Sequence, residues 1–255
     1  MLKPRLIPSL LIEDGLVVKT TKFKNPKYIG DPINTVKIFN EKKVDEICIF
    51  DISATKNNSE PNYKLIGDIA AQSRMPVCYG GGIKTLEQAQ KIFNLGVEKI
   101  ALSSILFTNL DLIQEISEKV GSQSVVLVLD VKKRLLGGYE IYTHNGTKNT
   151  KIDLNLFLQQ IKNLQFGEVI INNIDLDGTE KGYDFGLVRK VFEHTSKPIT
   201  ILGGAGSLDH IKNLYKEFKI IGAAAGSLFI FKGKFKAVLI NYPTKEIKNK
   251  LYDIE

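Results

Sequence analysis

Residues 76–104 read PVCYGGGIKTLEQAQKIFNLGVEKIALSS, and no other stretch of the chain carries a clearer structural signal. It begins with a short apolar run, turns at consecutive glycines and then places apolar side chains at helical spacing. Thr85 and Gln88 form a capping-box pair at the start of this helix, and Gly96 ends it. Because a second apolar run follows at residues 98–102, the stretch predicts two parallel strands joined by a helix.

The same alternation of apolar runs and helical patterns extends along the chain of 255 residues. The runs predict strands near residues 5–12, 46–51, 76–79, 98–102, 124–130, 168–174, 198–202 and 220–224. Eight such units in about 250 residues are typical of a closed barrel with right-handed crossovers. The predicted fold class is α/β, a single (β/α)8 TIM barrel over residues 1–255.

The chain also repeats itself at long range. Residues 51–55 correspond to 175–179, residues 80–83 to 203–206, and residues 104–107 to 227–229. The offset of 123 to 124 residues predicts two half-barrels, about 1–122 and 123–255. The repeated segments all follow predicted strands, where barrel enzymes carry their sites, so we expect a site with approximate two-fold symmetry.

The composition limits the kinds of function. Lysine and arginine number 35 against 28 acidic residues, and the net charge of +7 fits either lysines on solvated helix faces or anionic partners such as phosphates, nucleic acid or a membrane surface. Aromatic side chains do not interleave with a basic stripe, so nucleic-acid binding is not expected. The apolar stretch at residues 222–231 is about half as long as the roughly 20 residues that a membrane helix needs, so no membrane association is expected.

Other motifs are absent from the sequence. Cys48 and Cys78 lack metal-ligand spacing, and neither a dinucleotide-binding fingerprint nor a P-loop occurs. The N-terminus does not have the pattern of a signal peptide. We therefore expect a cytoplasmic protein that binds no metal and no cofactor.

Glycines and carboxylates at the predicted strand ends are the candidate site residues. Gly80–Gly82 and Gly203–Gly204 suit phosphate binding, because a backbone without β-carbons can present its N–H groups to an anion. Two such segments predict an elongated substrate with a phosphate at each end. Asp130 ends an apolar strand and is the predicted acid/base residue, whereas the symmetric position holds Leu11. His144, in a predicted polar loop over residues 142–150, is a weaker candidate.

Motifs along nearly the whole chain resemble the cyclase subunit of imidazole glycerol phosphate synthase. The motifs are DG at 14–15 with Lys19, GDP at 30–32, FDISAT at 50–55, GGGI at 80–83, GSQSVV at 121–126, IDLDGTEKGYD at 174–184 and GGAG at 203–206. The resemblance implies a barrel that receives ammonia from a separate glutaminase subunit. It also implies conversion of a bisphosphorylated precursor into imidazole glycerol phosphate and an aminoimidazole carboxamide ribotide.

The resemblance assigns roles residue by residue. The phosphate-binding and other substrate-facing positions fall on Gly81, Gly82, Ser104, Asp175, Asp177, Thr179, Gly204, Gly226 and Ser227. Asp130 matches one of two catalytic aspartates, and the other falls on Leu11, whose isobutyl group cannot transfer a proton. A ring that gates ammonia at the N-terminal face, where the glutaminase docks, falls on Arg5, Glu46, Lys99 and Glu168. A salt-bridge plug that only stabilises the barrel is the alternative interpretation of these four residues.

Three hypotheses follow from this pattern. The first rests on a further resemblance, because the kept ring, the lost aspartate and residues 237–243 (AVLINYP) look like divergent paralogues of bacterial surface-sugar biosynthesis. It is a paralogue that uses or passes on ammonia for amidation of such a sugar, together with a glutaminase and a sugar amidotransferase. The second is a genuine cyclase of histidine biosynthesis that tolerates Leu11. The third is a non-catalytic ammonia conduit and docking subunit whose site is vestigial.

Overall fold

The computed structural model describes residues 3–252, and strands alternate with helices throughout this range. The strands are β1 (Arg5–Glu13), β2 (Leu16–Thr21), β3 (Lys24–Gly30), β4 (Ile47–Asp51), β5 (Val77–Gly80), β6 (Lys99–Leu102), β7 (Val125–Lys133), β8 (Tyr139–Thr143), β9 (Lys148–Asp153), β10 (Glu168–Asn173), β11 (Ile199–Leu202), β12 (Gly222–Ala225), β13 (Phe231–Lys232) and β14 (Ala237–Val238). The helices are α1 (Pro32–Glu41), α2 (Ile52–Lys56), α3 (Tyr63–Gln72), α4 (Leu86–Asn94), α5 (Asp111–Val120), α6 (Leu154–Gln160), α7 (Phe185–His194), α8 (Leu208–Phe218), α9 (Ser227–Ile230) and α10 (Lys245–Tyr252). Short 3-10 helices cover Ser104–Phe107 and Ser122–Ser124.

Eight of these strands form a closed parallel barrel. Their order around the ring is β1, β4, β5, β6, β7, β10, β11 and β12, and β12 pairs in parallel with β1. The prediction of a single (β/α)8 barrel is confirmed, and each predicted strand is present. In the described part of the chain, no helix combines the length and the apolar character needed to cross a membrane.

Helix α4 illustrates how the local sequence forms these units. The Thr85 side chain accepts a hydrogen bond from Gln88 N at 3.2 Å, and Gln88 Oε1 accepts one from Lys84 N at 2.8 Å. The first bond satisfies a backbone donor that the first helical turn leaves free, and the second ties the Gln88 side chain to the residue directly before the cap. Ala89 and Ile92 on one face of α4 are buried against the barrel. The Thr85 cap and the apolar spacing therefore act as the sequence predicted, whereas Gln88 bonds the N–H of Lys84 instead of that of Thr85.

Two hairpins interrupt the simple alternation. β1 and β7 are each nine residues long, and each continues into a two-stranded antiparallel extension, β2–β3 after β1 and β8–β9 after β7. The prediction of a polar loop over residues 142–150 was therefore wrong. Those residues form the end of β8, a short turn and the start of β9. Their polar side chains fit an outer hairpin because one of its faces points to solvent.

Strand register decides which side chains point into the barrel. Ile7, Cys48, Val126 and Ile170 belong to a buried cluster inside the barrel, separate from the larger core between strands and helices. Side chains alternate along each strand, so residues two positions earlier or later also point inward. Charged side chains therefore meet at the N-terminal end of the interior, and the candidate site lies at the C-terminal end.

Candidate functional site

A cavity of about 560 Å³ lies at the C-terminal ends of the barrel strands. Its lining includes Ser9, Leu11, Val128, Asp130 and Asn172, which all project from barrel strands. The predicted acid/base residue and the leucine at the symmetric position thus share one cavity. This arrangement supplies the concave, partly polar surface that small-molecule sites need.

Asp130 has the chemistry of an acid/base group. Asn172 Nδ2 donates a hydrogen bond to Asp130 Oδ1 at 3.1 Å. Burial raises the pKa of the Asp130 carboxyl to about 7, against the hydrogen bond from Asn172, and the charge of Asp177 adds to the rise. A carboxyl group with a pKa near neutral pH can both give and take a proton.

Leu11 places an isobutyl group, which cannot transfer a proton, on the cavity wall at the position symmetric to Asp130. It pairs in register with Val18 on β2 and with Phe50 on β4, and it is half-buried. Glu13, two residues further along β1, also lines the cavity and is half-buried. The cavity therefore keeps carboxylates near its wall, but an isobutyl group occupies the position symmetric to Asp130.

The first glycine segment lines the cavity together with Ser104. Gly81 and Gly82 have φ values of +140° and +71°, which favour glycine. A β-carbon on Gly81 would lie 2.6 Å from the carbonyl oxygen of Asp51. The Asp51 carboxylate meanwhile accepts hydrogen bonds from two backbone N–H groups at the start of α2. Glycine is required here because the loop passes directly over the end of β4.

The second glycine segment lines a much smaller recess. Gly204, Gly226 and Ser227 border a space of about 10 Å³, close to the minimum that holds one water molecule. Lys19 and Asp177 form the wall that this recess shares with the large cavity. The Lys19 stem packs close to Gly226, so a lysine side chain fills much of the space beside this segment.

Lys19 and Asp177 form a buried ion pair. Lys19 Nζ lies 2.8 Å from Asp177 Oδ1, and the two side chains are only 6% and 9% exposed. Thr20 Oγ1 donates a second hydrogen bond to Asp177 Oδ2 at 3.1 Å. Since each buried charge has its partner, the desolvation cost of the pair is offset.

Asp175 and Thr179 line neither space. Asp175 Oδ2 accepts a hydrogen bond from Lys133 N at 3.0 Å, and Thr179 Oγ1 donates one to Leu176 O at 2.8 Å. Both side chains therefore stabilise the loop after β10. The remaining predicted cavity residues, Gly81, Gly82, Ser104, Asp130, Asp177, Gly204, Gly226 and Ser227, all border the cavity or the recess.

The two hairpins cover the cavity from above. Phe23 comes from the turn between β2 and β3, and His144 and Asn145 come from the turn between β8 and β9. Asn145 Nδ2 donates a hydrogen bond to Ile52 O at 2.7 Å, which ties the second turn to α2. His144 therefore reaches the cavity as part of this roof.

A ring of four charged side chains lies at the opposite end of the barrel. Arg5 contacts Glu46 at 2.7 Å and Glu168 at 2.6 Å, and Lys99 contacts the same two carboxylates at 2.7 and 3.1 Å. Burial alone would raise the pKa of Glu168, but the hydrogen bond and charge of Arg5 and the charge of Lys99 hold it below the usual value. The structure thus brings together all four residues that the sequence predicted to converge.

Three polar residues of these sites received no role in the sequence analysis: Lys19, Asn172 and Thr200. Thr200 lies between two isoleucines, whereas Lys19 and Asn172 directly follow the apolar part of their strands, and all three are buried. A buried lysine, amide or hydroxyl in such a run is uncommon, since it needs partners from other strands. A polar residue inside or directly after an apolar run was the available signal, but its partners could not be read from the local sequence.

Comparisons with known proteins agree on one family. A family model described as histidine biosynthesis protein matches residues 5–236. A Vibrio vulnificus protein provisionally named imidazole glycerol phosphate synthase subunit hisF3 is 52% identical over 255 residues, which covers 100% of this chain and 98% of that relative. A Pseudomonas aeruginosa protein provisionally named subunit hisF2 is 47% identical over 243 residues, with 95% and 97% covered. The Streptococcus mutans imidazole glycerol phosphate synthase subunit HisF is 34% identical over 229 residues, with 90% and 91% covered.

Proposed function

This chain belongs to the histidine biosynthesis protein family, and from this premise we propose that it is a HisF-like subunit serving amidation of a bacterial surface sugar. HisF-like subunits are the cyclase part of imidazole glycerol phosphate synthase, a glutamine amidotransferase complex. In the proposal a partner glutaminase docks at the N-terminal face of the barrel and supplies ammonia. A sugar amidotransferase uses that ammonia or the product made from it.

The observation that carries the proposal is the contrast between the two ends of the barrel. At the N-terminal end, the ring of Arg5, Glu46, Lys99 and Glu168 is complete, with each cation bridging both carboxylates. At the C-terminal end, Leu11 stands where the resemblance implies a second catalytic aspartate. This contrast supports a barrel that still receives ammonia but has altered chemistry in its cavity.

The interior between the two ends suits a small neutral molecule. Its buried cluster consists of aliphatic side chains and the thiols of Cys48 and Cys78. Neutral ammonia crosses such a region at a much lower desolvation cost than an ammonium ion. In the proposal, an ammonium ion either loses its proton at the ring or is excluded there, and only neutral ammonia passes into the interior.

The cavity supports a phosphorylated or nucleotide-linked sugar as the substrate. Gly81, Gly82 and Ser104 line the large space and offer an anion-binding segment there. The equivalent segment on the other half borders a recess with room for about one water molecule. A substrate with one anionic group suits this asymmetry better than a bisphosphorylated precursor does.

A genuine cyclase is the second candidate. Asp130, with a pKa of about 7, keeps one acid/base group in the cavity, and glycine segments are present on both sides of it. Loss of a single acid/base group typically lowers a rate about 100- to 10,000-fold, so a cyclase with Leu11 would be slow unless another group replaced the aspartate.

Gene deletion tests the proposal in the organism of origin. We expect the deletion strain to grow without histidine, because the proposed role lies outside histidine synthesis. Its surface polysaccharide should lack amide or amidine groups, which NMR of the purified polysaccharide measures. Expression of the wild-type chain should restore them.

An Asp130→Asn chain serves as the discriminating complement in that strain. The substitution keeps the size of the side chain and removes its titratable proton. If the barrel performs chemistry, this chain should not restore the amide groups; full restoration would favour the conduit. A requirement for histidine in the deletion strain would overturn the proposal in favour of the genuine cyclase.

A further inference from the structure

Thr200 on β11 is uncharged but joins the charged ring through two hydrogen bonds. Its hydroxyl donates a hydrogen bond to Glu168 Oε1 at 2.5 Å and accepts one from Arg5 Nη2 at 3.3 Å. The residue is 0% exposed. The hydroxyl therefore bridges the cation and the anion of one edge of the ring, away from water.

Gly222 on the neighbouring strand makes room for this hydroxyl. Thr200 and Gly222 are direct register partners on β11 and β12, and both precede inward-facing residues by two positions. A β-carbon on Gly222 would overlap the Thr200 hydroxyl. The glycine and the threonine thus form a fitted pair, and any larger residue at position 222 would displace the hydroxyl from the ring.

Each edge of the ring is one ion pair between a cation and a carboxylate, and the edges differ in how many hydrogen bonds hold them. The Arg5 guanidinium makes two hydrogen bonds to Glu168, at 2.6 and 3.1 Å, and Thr200 adds its own contacts to the same edge. Lys99 reaches each of its two carboxylates through one ammonium contact, at 2.7 and 3.1 Å. A bidentate guanidinium pair is the stronger and more directional arrangement.

We infer that Thr200 is a positioning residue that latches the Arg5–Glu168 edge shut, so that the ring opens at Lys99. The inference rests on the proposed function, because a latch has a purpose only if the ring opens. It adds Thr200, a residue outside the four predicted gate positions.

The cysteines of the chain report whether the ring opens. Cys48 and Cys78 are its only two, and both are buried inside the barrel. Cys48 on β4 follows Glu46, the residue directly before that strand, by two positions, and Cys78 is the register partner of Lys99. Neither cysteine lines the cavity. A small uncharged thiol reagent that enters through the ring therefore meets these thiols directly. Labelling from the cavity side does not pass the ring, so it contributes equally to the wild type and to the ring variants, and only the difference between them reports on the ring.

The experiment compares thiol labelling of the wild type with that of Thr200→Val, Thr200→Ser and Lys99→Ala. Methyl methanethiosulfonate is added to the folded protein, and intact mass follows modification with time. We expect Thr200→Val to label about ten-fold faster or more, because a hydrogen bond to a charged group is lost. Thr200→Ser keeps the hydroxyl and should label at nearly the wild-type rate. Lys99→Ala, which removes the opening edge, should also label faster.

Urea unfolding of each variant separates ring opening from global unfolding. If Thr200→Val is labelled at the wild-type rate while Lys99→Ala is labelled faster, the proposed role of Thr200 is wrong, but the ring still controls access to the thiols. If the lower free energy of unfolding of Thr200→Val fully accounts for its faster labelling, the latch is also wrong. The readout involves no ammonia and no sugar, so failure of the proposed function would leave the labelling result unchanged.

Discussion

At Asp130, burial and hydrogen bonding act in opposite directions on one carboxyl group. Burial disfavours the charged form, and the hydrogen bond from Asn172 favours it. Burial is the larger effect, so the folded protein holds this proton up to a pKa of about 7. An ordinary aspartate in the unfolded chain loses its proton near pH 3.9. The difference links the proposed chemistry of the cavity to the stability of the whole barrel.

Asp130→Asn should therefore stabilise the protein at alkaline pH. Between about pH 4 and pH 7 the folded state binds more protons at position 130 than the unfolded state does, so the wild type loses stability as pH rises through this range. The asparagine has no such proton. Urea unfolding should give the variant an advantage of up to about 4 kcal/mol at pH 8 and little advantage at pH 4.

Direct titration of the Asp130 carboxyl by carbon NMR provides the control for this prediction. A midpoint near pH 7 should accompany the stability difference. Unfolding free energies that run parallel for the two proteins from pH 4 to pH 8 would contradict the raised pKa, whatever the activity of the variant.

At the scale of elements, the hairpin β2–β3 depends on one loop for its position over the cavity. Lys22 N donates a hydrogen bond to Asp177 O at 2.9 Å, and Thr20 bonds the Asp177 carboxylate. Gly178, with φ of +68°, lets the loop approach the hairpin so closely that a β-carbon would lie 2.6 Å from Thr20 O. The roof is therefore held by backbone contacts with the loop after β10.

Gly178→Ala should loosen this hairpin. The left-handed conformation costs alanine about 1–2 kcal/mol, and the overlap with Thr20 O adds to that cost. Limited trypsin digestion should cut after Lys22, Lys24 and Lys27 about ten-fold faster than in the wild type. Gly137→Ala is the matched control, since its φ is +90° and nothing lies within 4 Å of its added β-carbon. Equal digestion of both variants would mean that backbone strain alone, and not the docking contact, matters.

The elements that the sequence predicts well are those whose signals are local. Helix α4 carries its own cap and apolar spacing, and each barrel strand is a distinct apolar run. The hairpin β8–β9 was missed because edge strands with one solvent face carry polar residues that also suit a loop. The role of Thr200 depends on Gly222 and Glu168, which lie on two other strands. Such a contact exists only after the barrel has closed, so a local pattern cannot reveal it.

At the scale of the molecule, the barrel has two ends with opposite character. The ring at the N-terminal end contains two cations and two anions and therefore has no net charge. The cavity at the C-terminal end is roomy and covered by hairpins. Ammonia from a docked glutaminase would enter through the ring, whereas free ammonia in the solvent can also enter the cavity from its open side. The two routes should respond differently to a change in the ring.

Lys99→Ala should separate these two routes. Removing the ammonium breaks both ion pairs of Lys99 and leaves Glu46 and Glu168 with Arg5 alone, so the ring should no longer direct glutamine-derived ammonia into the barrel. In the deletion strain, the variant should fail to restore surface amide groups at low external ammonium and should restore them at high ammonium. The exposed Lys119 gives a matched control, since Lys119→Ala removes a lysine from α5 without touching the ring. Loss of the amide groups at both ammonium concentrations would mean that the ring only stabilises the barrel.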